Sequence, residues 1–295
     1  MTDLTGKTAV ITGGTRGLGL VAAQEFIAAG ANVVLSSRSV PAVQQALASL
    51  PAQHAAGTAC DVADREQVQA LADFALQRFG GFEIWINNAG LSAPYGPTAH
   101  VPPDLVERVI HTNILGTYHG SVTALAHFLP RRQGKLINVL GRGFDKPVPN
   151  QNSYASSKAW MRVFTLALAK EYRSCGVGIF AYNPGLMFTE MVGDVDVLAG
   201  YETHVGALET VLRMWGNPPQ IPARRMVWMA SAATDGITGK VYSELTTGRL
   251  FRGALTEGLR ILLRRDPGEK RLTIHSVDPA LPDIPLPGAP RQGTN

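Results

Sequence analysis

Cysteine is almost absent from this 295-residue chain. Cys60 and Cys175 are its only two, and neither lies in a CxxC or a Cys/His cluster. A disulfide framework is therefore excluded and no metal site is expected. Both thiols are read as buried and inert. Long apolar runs are also missing: no window approaches the roughly 20 apolar residues of a membrane span. The opening MTDLTGKTAVITGG has no apolar stretch of signal-peptide kind behind a basic start. The expectation is a cytoplasmic protein without a membrane span. Charge is sparse at 17%, with a net +4, and residues 249–295 hold eight Lys/Arg against five Asp/Glu. The remainder is close to neutral and shows no basic stripe interleaved with aromatics, which argues against a nucleic-acid partner.

What is present is an alternation of short β-branched runs and longer helical patterns. TAVIT (8–12), NVVLS (32–36), EIWIN (83–87), KLINVL (135–140), GIFAY (178–182) and GKVYSELT (239–246) read as strands, most of them apolar on both faces. Helical patterns over 18–29, 64–79, 104–129 and 153–175 separate them, with Asp64 and Ser153 as caps. Such strands imply a parallel sheet covered on both sides, hence an α/β fold with a doubly wound sheet and ligands at the carboxyl ends of the strands. One domain is expected over 1–247. Within it the apolar, helix-like stretch 186–220 interrupts the rhythm and is read as a substrate lid. Residues 248–295 form a C-terminal extension. Phe251, Leu255, Leu259 and Leu262 recur there at helical spacing among arginines, before a proline-rich end. That helix can lie on a membrane surface, or dock on its own domain or on a partner subunit.

Strand 8–12 runs into Thr12-Gly13-Gly14-Thr15-Arg16-Gly17-Leu18-Gly19 and then a helix. Glycines let the backbone approach a pyrophosphate, which the free N–H groups of a helix N-terminus attract. Further on come Asn87-Asn88-Ala89-Gly90, Asn113, Tyr154 with Lys158 one helical turn later, and Asn183-Pro184-Gly185. In this order and spacing the set resembles the short-chain dehydrogenase/reductase family over roughly residues 5–245. The resemblance implies a Rossmann-type sheet, a nicotinamide cofactor, and association as a homodimer or homotetramer through the helices 104–129 and 153–175. It places Gly13, Gly17 and Gly19 along the pyrophosphate, with Thr12, Thr15, Arg16 and Leu18 also at the cofactor. It sets Asp61 and Val62 at the adenine, and Asn87, Ala89 and Gly90 behind the ribose. Thr189 falls at the nicotinamide half, with Pro184 and Gly185 also at the cofactor.

Charge speaks for NADP(H). The second strand ends Ser36-Ser37-Arg38 with no acid to bind a ribose 2′-hydroxyl, and Arg16 lies in the glycine loop. Guanidinium groups bind phosphate bidentately.

A free tyrosine titrates near 10. By the family's arrangement Lys158 and a cationic nicotinamide lower Tyr154, which exchanges a proton with a carbonyl or alcohol oxygen, while Asn113 positions a water behind Lys158. One part departs. The serine that the family places thirteen residues before the tyrosine is Gly141 here, following Leu140. Losing one preorganised donor can cost on the order of 10²–10³ in rate. Replacements are sought first among residues 150–153, Asn152 and Gln151 foremost, then in a bound water, then in Arg142. Gly141 can also serve a left-handed turn in Gly-Arg-Gly, or make room for a bulky substrate. Tyr95 and Met187, with Leu91, Val148 and Phe188, suggest a rather apolar substrate. Three readings stay open: an NADP(H)-dependent carbonyl reductase or alcohol dehydrogenase, a cofactor-binding scaffold or sensor, and non-redox chemistry such as dehydration or epimerisation.

Overall fold

The computed structural model describes residues 2–188, 193–263, 272–284, 286 and 287. Seven parallel strands make the central sheet: β1 (Thr8–Thr12), β2 (Asn32–Ser37), β3 (Ala55–Ala59), β4 (Ile84–Asn87), β5 (Gly134–Val139), β6 (Val177–Asn183) and β8 (Lys240–Ser243). Their order is β3-β2-β1-β4-β5-β6-β8. Every residue of β1 and of β6 is buried, as expected for strands covered on both faces. The order reverses between β1 and β4, which opens a crevice at their carboxyl ends.

Helices α1 (Gly17–Ala28), α2 (Val40–Ala48) and α8 (Gln220–Ala230) cover one face, where Phe26, Val43 and Met226 pack on Ile11, Leu35 and Phe180. Helices α3 (Arg65–Phe79), α5 (Gly116–Arg131) and α6 (Asn152–Glu171) cover the other, where Leu71, Phe128 and Leu168 pack on Val10, Trp85 and Ile179. A smaller apolar cluster lies beyond the strand ends. There α4 (Pro103–Val109) and α7 (Ala207–Trp215) meet a two-stranded parallel sheet of β7 (Asp194–Leu198) and β9 (Thr273–Val277).

Local rules account for most element ends. Asp64 caps α3 as expected, its carboxylate accepting from the N–H groups of Glu66 and Gln67. Helix α2 falls outside the sequence reading, although Ser39 caps it and Pro41 lies in its first turn. Ser153 does not cap α6: the helix starts one residue earlier, behind Gln151, with no side-chain cap. The stretch 104–129 is not one helix, because a π-helical segment, Ile110–Leu115, stands between α4 and α5. The largest correction concerns 186–220. Asp194–Leu198 is a strand, because Thr273–Val277 comes back from the far end of the chain to pair with it. The extension thus holds a helix, α9 (Thr247–Leu262), and then a strand. Cys60 is buried as expected, whereas Cys175 is half-buried.

Candidate active site

The β1 and β4 ends are laced together before any ligand enters. Thr12 Oγ1 accepts from the N–H groups of Asn88 (3.1 Å) and Ala89 (3.2 Å), and Asn88 Nδ2 donates to the carbonyls of Thr12 and Gly13, each at 3.0 Å. A Cβ on Gly13 would lie 2.9 Å from Ala89 Cα, and one on Gly19 would lie 2.7 Å from Asn88 Nδ2 and collide with the Gly13 carbonyl. These two glycines are therefore fixed by the close packing of the loop on Asn88–Ala89. Arg16 precedes α1 without a side-chain cap, and no acid stands in the first turn. The leading N–H groups and positive dipole end of α1 are left for an anion.

A cleft of about 430 Å³ runs from this loop across the strand ends. At one end it is lined by Thr15, Arg16, Gly17, Leu18, Ser37 and Arg38, with Asp61 and Val62 beside them. In the middle lie Ala89, Gly90, Tyr154 and Lys158, and at the far end Pro184, Gly185 and Met187. Arg16 and Arg38 are both exposed. A helix N-terminus, two guanidinium groups and a wall of small residues fit a dinucleotide. Thr189 lies outside the described residues.

Two residues of the sequence set stand behind this wall. Asn87 is buried; it accepts from Trp85 Nε1 and donates to Asn138 Oδ1, each at 2.8 Å, and to Ser121 Oγ at 3.1 Å. Its side chain ties strand ends together and does not line the cleft, because a Trp, an Asn and a Ser already claim its amide. Asn113, also buried, sits in the π-helical segment. Its Oδ1 accepts from Leu91 N–H at 2.8 Å, and its Nδ2 donates to Leu91 O and to Ser157 Oγ, both at 2.9 Å. The asparagine thus fastens the loop after Gly90 to α6. Asn88 and Ser157 belong to this scaffold and were not singled out in the sequence. For Asn88 the signal was its place in Asn-Asn-Ala-Gly.

Lys158 is buried beside Gly90 and donates to Val139 O at 3.0 Å. Burial brings its ammonium down to about 8. Tyr154 is half-buried, and Lys158 Nζ lies 5.6 Å from its ring centre. Burial pushes the Tyr154 phenol up to about 12, with neighbouring Tyr95 adding to the rise. The expected lowering is absent from the protein's own groups, because desolvation disfavours the phenolate and Tyr95 adds to that effect.

Gly141 is where the site departs from expectation. It does not take a left-handed backbone; Gly143 does, at φ 93°. A Cβ at 141 would instead run into Tyr154 Oη and lie 3.0 Å from Cζ. The phenol occupies the space that a side chain would need. Of residues 150–153, Gln151 alone lines the cleft. Asn152 is exposed away from it, and Asn150 takes a left-handed turn, its carbonyl accepting from Gly96 N–H. Arg142 lines the cleft, as does Tyr95, whose phenol burial holds above its ordinary value while the nearby Arg142 guanidinium partly offsets the rise. The Tyr95 backbone bridges to β7, donating to Asp196 O (2.8 Å) and accepting from Leu198 N–H (2.9 Å). The β7 edge, with Asp194 and Asp196, and Leu208 of α7 complete the roof.

Compared with known proteins, the chain matches the family model for short chain dehydrogenase over residues 7–197. It is 34% identical over 246 residues to 3beta-hydroxysteroid dehydrogenase 1 of Eggerthella lenta, covering 80% of this chain and 91% of that relative. It is 29% identical over 241 residues to glucose 1-dehydrogenase 2 of Bacillus subtilis, covering 80% and 92%. Among solved structures, a 3-ketoacyl-(acyl-carrier-protein) reductase from Brucella melitensis, complexed with NADH, superposes with a TM-score of 0.74 at 26% identity. That match covers 84% of this chain and 100% of the reductase.

Proposed function

The chain belongs to the short-chain dehydrogenase family of oxidoreductases, and from that membership we propose that it moves hydride between NADP(H) and the carbonyl or alcohol carbon of a rather apolar small molecule. Tyr154 is the general acid and base. The observation that carries the reading is one cleft holding Tyr154 and Lys158 at its centre and Arg16 and Arg38 at one end. The bound cofactor supplies the hydride.

This chain's residues do the rest. In reduction the Tyr154 phenol, still protonated at neutral pH, donates its proton to the substrate oxygen. Lys158, largely charged at neutral pH, binds the nicotinamide ribose and favours the phenolate that donation leaves behind. Asn113 holds the Leu91 loop and α6 in register around that pair. Pro184, Gly185 and Met187 wall the nicotinamide end.

The second hydrogen bond to the substrate oxygen, absent at Gly141, is assigned to Tyr95. Its phenol lines the cleft close enough to Tyr154 to raise that group, and its O–H can donate to an oxygen held there. Gln151 is the runner-up. The protein works as a homo-oligomer in this reading. Support comes from Ile110, Leu115, Tyr118 and Val122, on the π-helical segment and α5, and from Val163 on α6, all large apolar side chains exposed on the helices beside the site.

NADP(H) rests on Arg16, Arg38 and the missing acid after β2; the Brucella reductase carries NADH. A single charge-assisted hydrogen bond contributes about 1.5–3 kcal/mol, so kcat/KM with NADPH is expected to exceed that with NADH by roughly tenfold or more. Arg38→Asp is expected to remove that preference. Comparable kcat/KM for the two cofactors in the wild type contradicts the assignment. The lean of Tyr154 into the Gly141 space favours a second reading, a cofactor-binding scaffold. Tight NADPH binding without NADPH oxidation across a broad carbonyl panel would support it.

A further inference from the structure

Helix α9 docks the wrong way round for an ordinary amphipathic helix. The side it turns to the protein is polar. Glu257 is buried and accepts from Arg213 of α7 at 2.9 Å and from Arg260 of its own helix at 2.9 Å. Those bonds, Arg260 first, hold its carboxyl down to about 2. Gly253 lies against Met214 and Trp215, and Trp215 Nε1 donates to Leu250 O at 3.1 Å. The side it turns outward is apolar: Phe251 is 71% exposed, Leu255 54%, Leu259 48%, Ile261 61% and Leu262 76%. At 100° per residue, positions 251, 255, 258, 259 and 262 fall within one half of the helix, with the exposed Arg252 at its border.

We propose that this outward face of α9 binds an anionic lipid surface. Charge decides between a membrane and a second copy of the chain. Residues 249–265 hold five arginines and one glutamate, which accounts for the whole +4 of the sequence. Among the described residues Arg252 borders the outward face while Arg260 is turned to Glu257; self-association would bring two such net-positive segments together, whereas an anionic bilayer attracts them. Copies of the chain have a separate apolar face on α5 and α6. Phe and Leu side chains flanked by arginine are the composition that an interfacial helix needs. Because α9 is bolted to α7, whose Leu208 lines the cleft, the bilayer lies on the lid side of the substrate site. Binding is independent of the redox assignment.

The full-length protein is mixed with phosphatidylcholine vesicles, with and without phosphatidylserine, and the pelleted fraction measured against salt. Wild type is expected to bind the phosphatidylserine vesicles and to leave them at high salt. The combined variant Phe251→Ser, Leu255→Ser, Leu259→Ser is expected to lose at least roughly tenfold in apparent affinity, since it removes three large apolar side chains from the face. Its NADPH dissociation constant is expected to stay at the wild-type value. No binding to anionic vesicles overturns the proposal. So does a wild-type oligomer that the triple variant breaks into smaller species, which would assign the face to a second copy.

Discussion

Replacing Gly141 with alanine adds one carbon where Tyr154 Oη lies and within 3.0 Å of Tyr154 Cζ. Tyr154 sits on α6, and Ala155 beside it is buried, so the backbone cannot readily yield. The phenol has to retreat by roughly 1 Å, and a misplacement of that size can cost about 10²-fold in rate. Overpacking also costs stability, typically about 1–3 kcal/mol. Gly141→Ala is therefore expected to lower kcat about 100-fold, measured as NADPH oxidation on any carbonyl that the wild type reduces. Gly141→Ser imposes the same displacement and adds a donor worth on the order of 10²–10³ where none exists. With Tyr95 already donating, the serine variant is expected to stay within roughly tenfold of the alanine variant; in a Tyr95→Phe background it is expected to exceed it by more. Two results refute this reasoning. Gly141→Ala within about threefold of wild type would show that the phenol's position does not depend on the glycine. Gly141→Ser at roughly ten times the wild-type kcat would show that no other side chain supplies the hydrogen bond.

Other expectations follow from the same geometry. Asn87→Ala leaves Trp85 Nε1 without its acceptor and takes the 2.8 Å donor from Asn138 Oδ1, so stability in a denaturant titration should fall by about 2–4 kcal/mol while NADPH affinity holds within about threefold. Lys158 titrates at about 8 in the fold against 10.5 in the unfolded chain. The unfolded chain therefore binds more protons between those values, and the wild type should gain up to about 3 kcal/mol of stability relative to Lys158→Met as pH rises from 8 toward 10.5. A flat difference would place the ammonium in solvent. Truncation after Leu250 removes the partner of β7 and the bond between His100 and the Ile284 carbonyl. Substrate KM should rise at least roughly tenfold with NADPH affinity nearly unchanged, because the roof goes while the glycine loop stays. Unaltered kinetics would show that the tail does not shape the cleft.

The central strands were legible because they are buried on both faces, so that TAVIT and GIFAY announce themselves by composition alone, whereas the edge strands β3 and β8 are only partly buried. The position of the site followed, since a doubly wound order puts it at the strand ends. The roof was not legible. VDVL and TIHSV are short, and their pairing joins residues far apart in sequence, so neither carries a local signal strong enough to outweigh the helical texture around VDVL. Side-chain allegiance was equally hidden. Asn87 and Asn113 look like cleft residues by motif, yet Trp85, Asn138, Leu91 and Ser157 claim them, and no spacing rule reveals which amide is already bonded. The absence at Gly141 was readable as a missing hydroxyl. That Tyr154 fills the space appears only in three dimensions.

The central claim is hydride transfer from NADPH with Tyr154 supplying the proton, and isotope transfer tests it most directly. The protein is incubated with NADPH bearing deuterium on each face of C4 in turn and a panel of apolar ketones and aldehydes, and the products are read by mass spectrometry. One deuterium is expected at the carbinol carbon from one face only, with the yield falling steeply in Tyr154→Phe while NADPH still binds. Transfer undiminished in Tyr154→Phe, or no transfer to any carbonyl by a wild-type protein that binds NADPH tightly, would contradict the account.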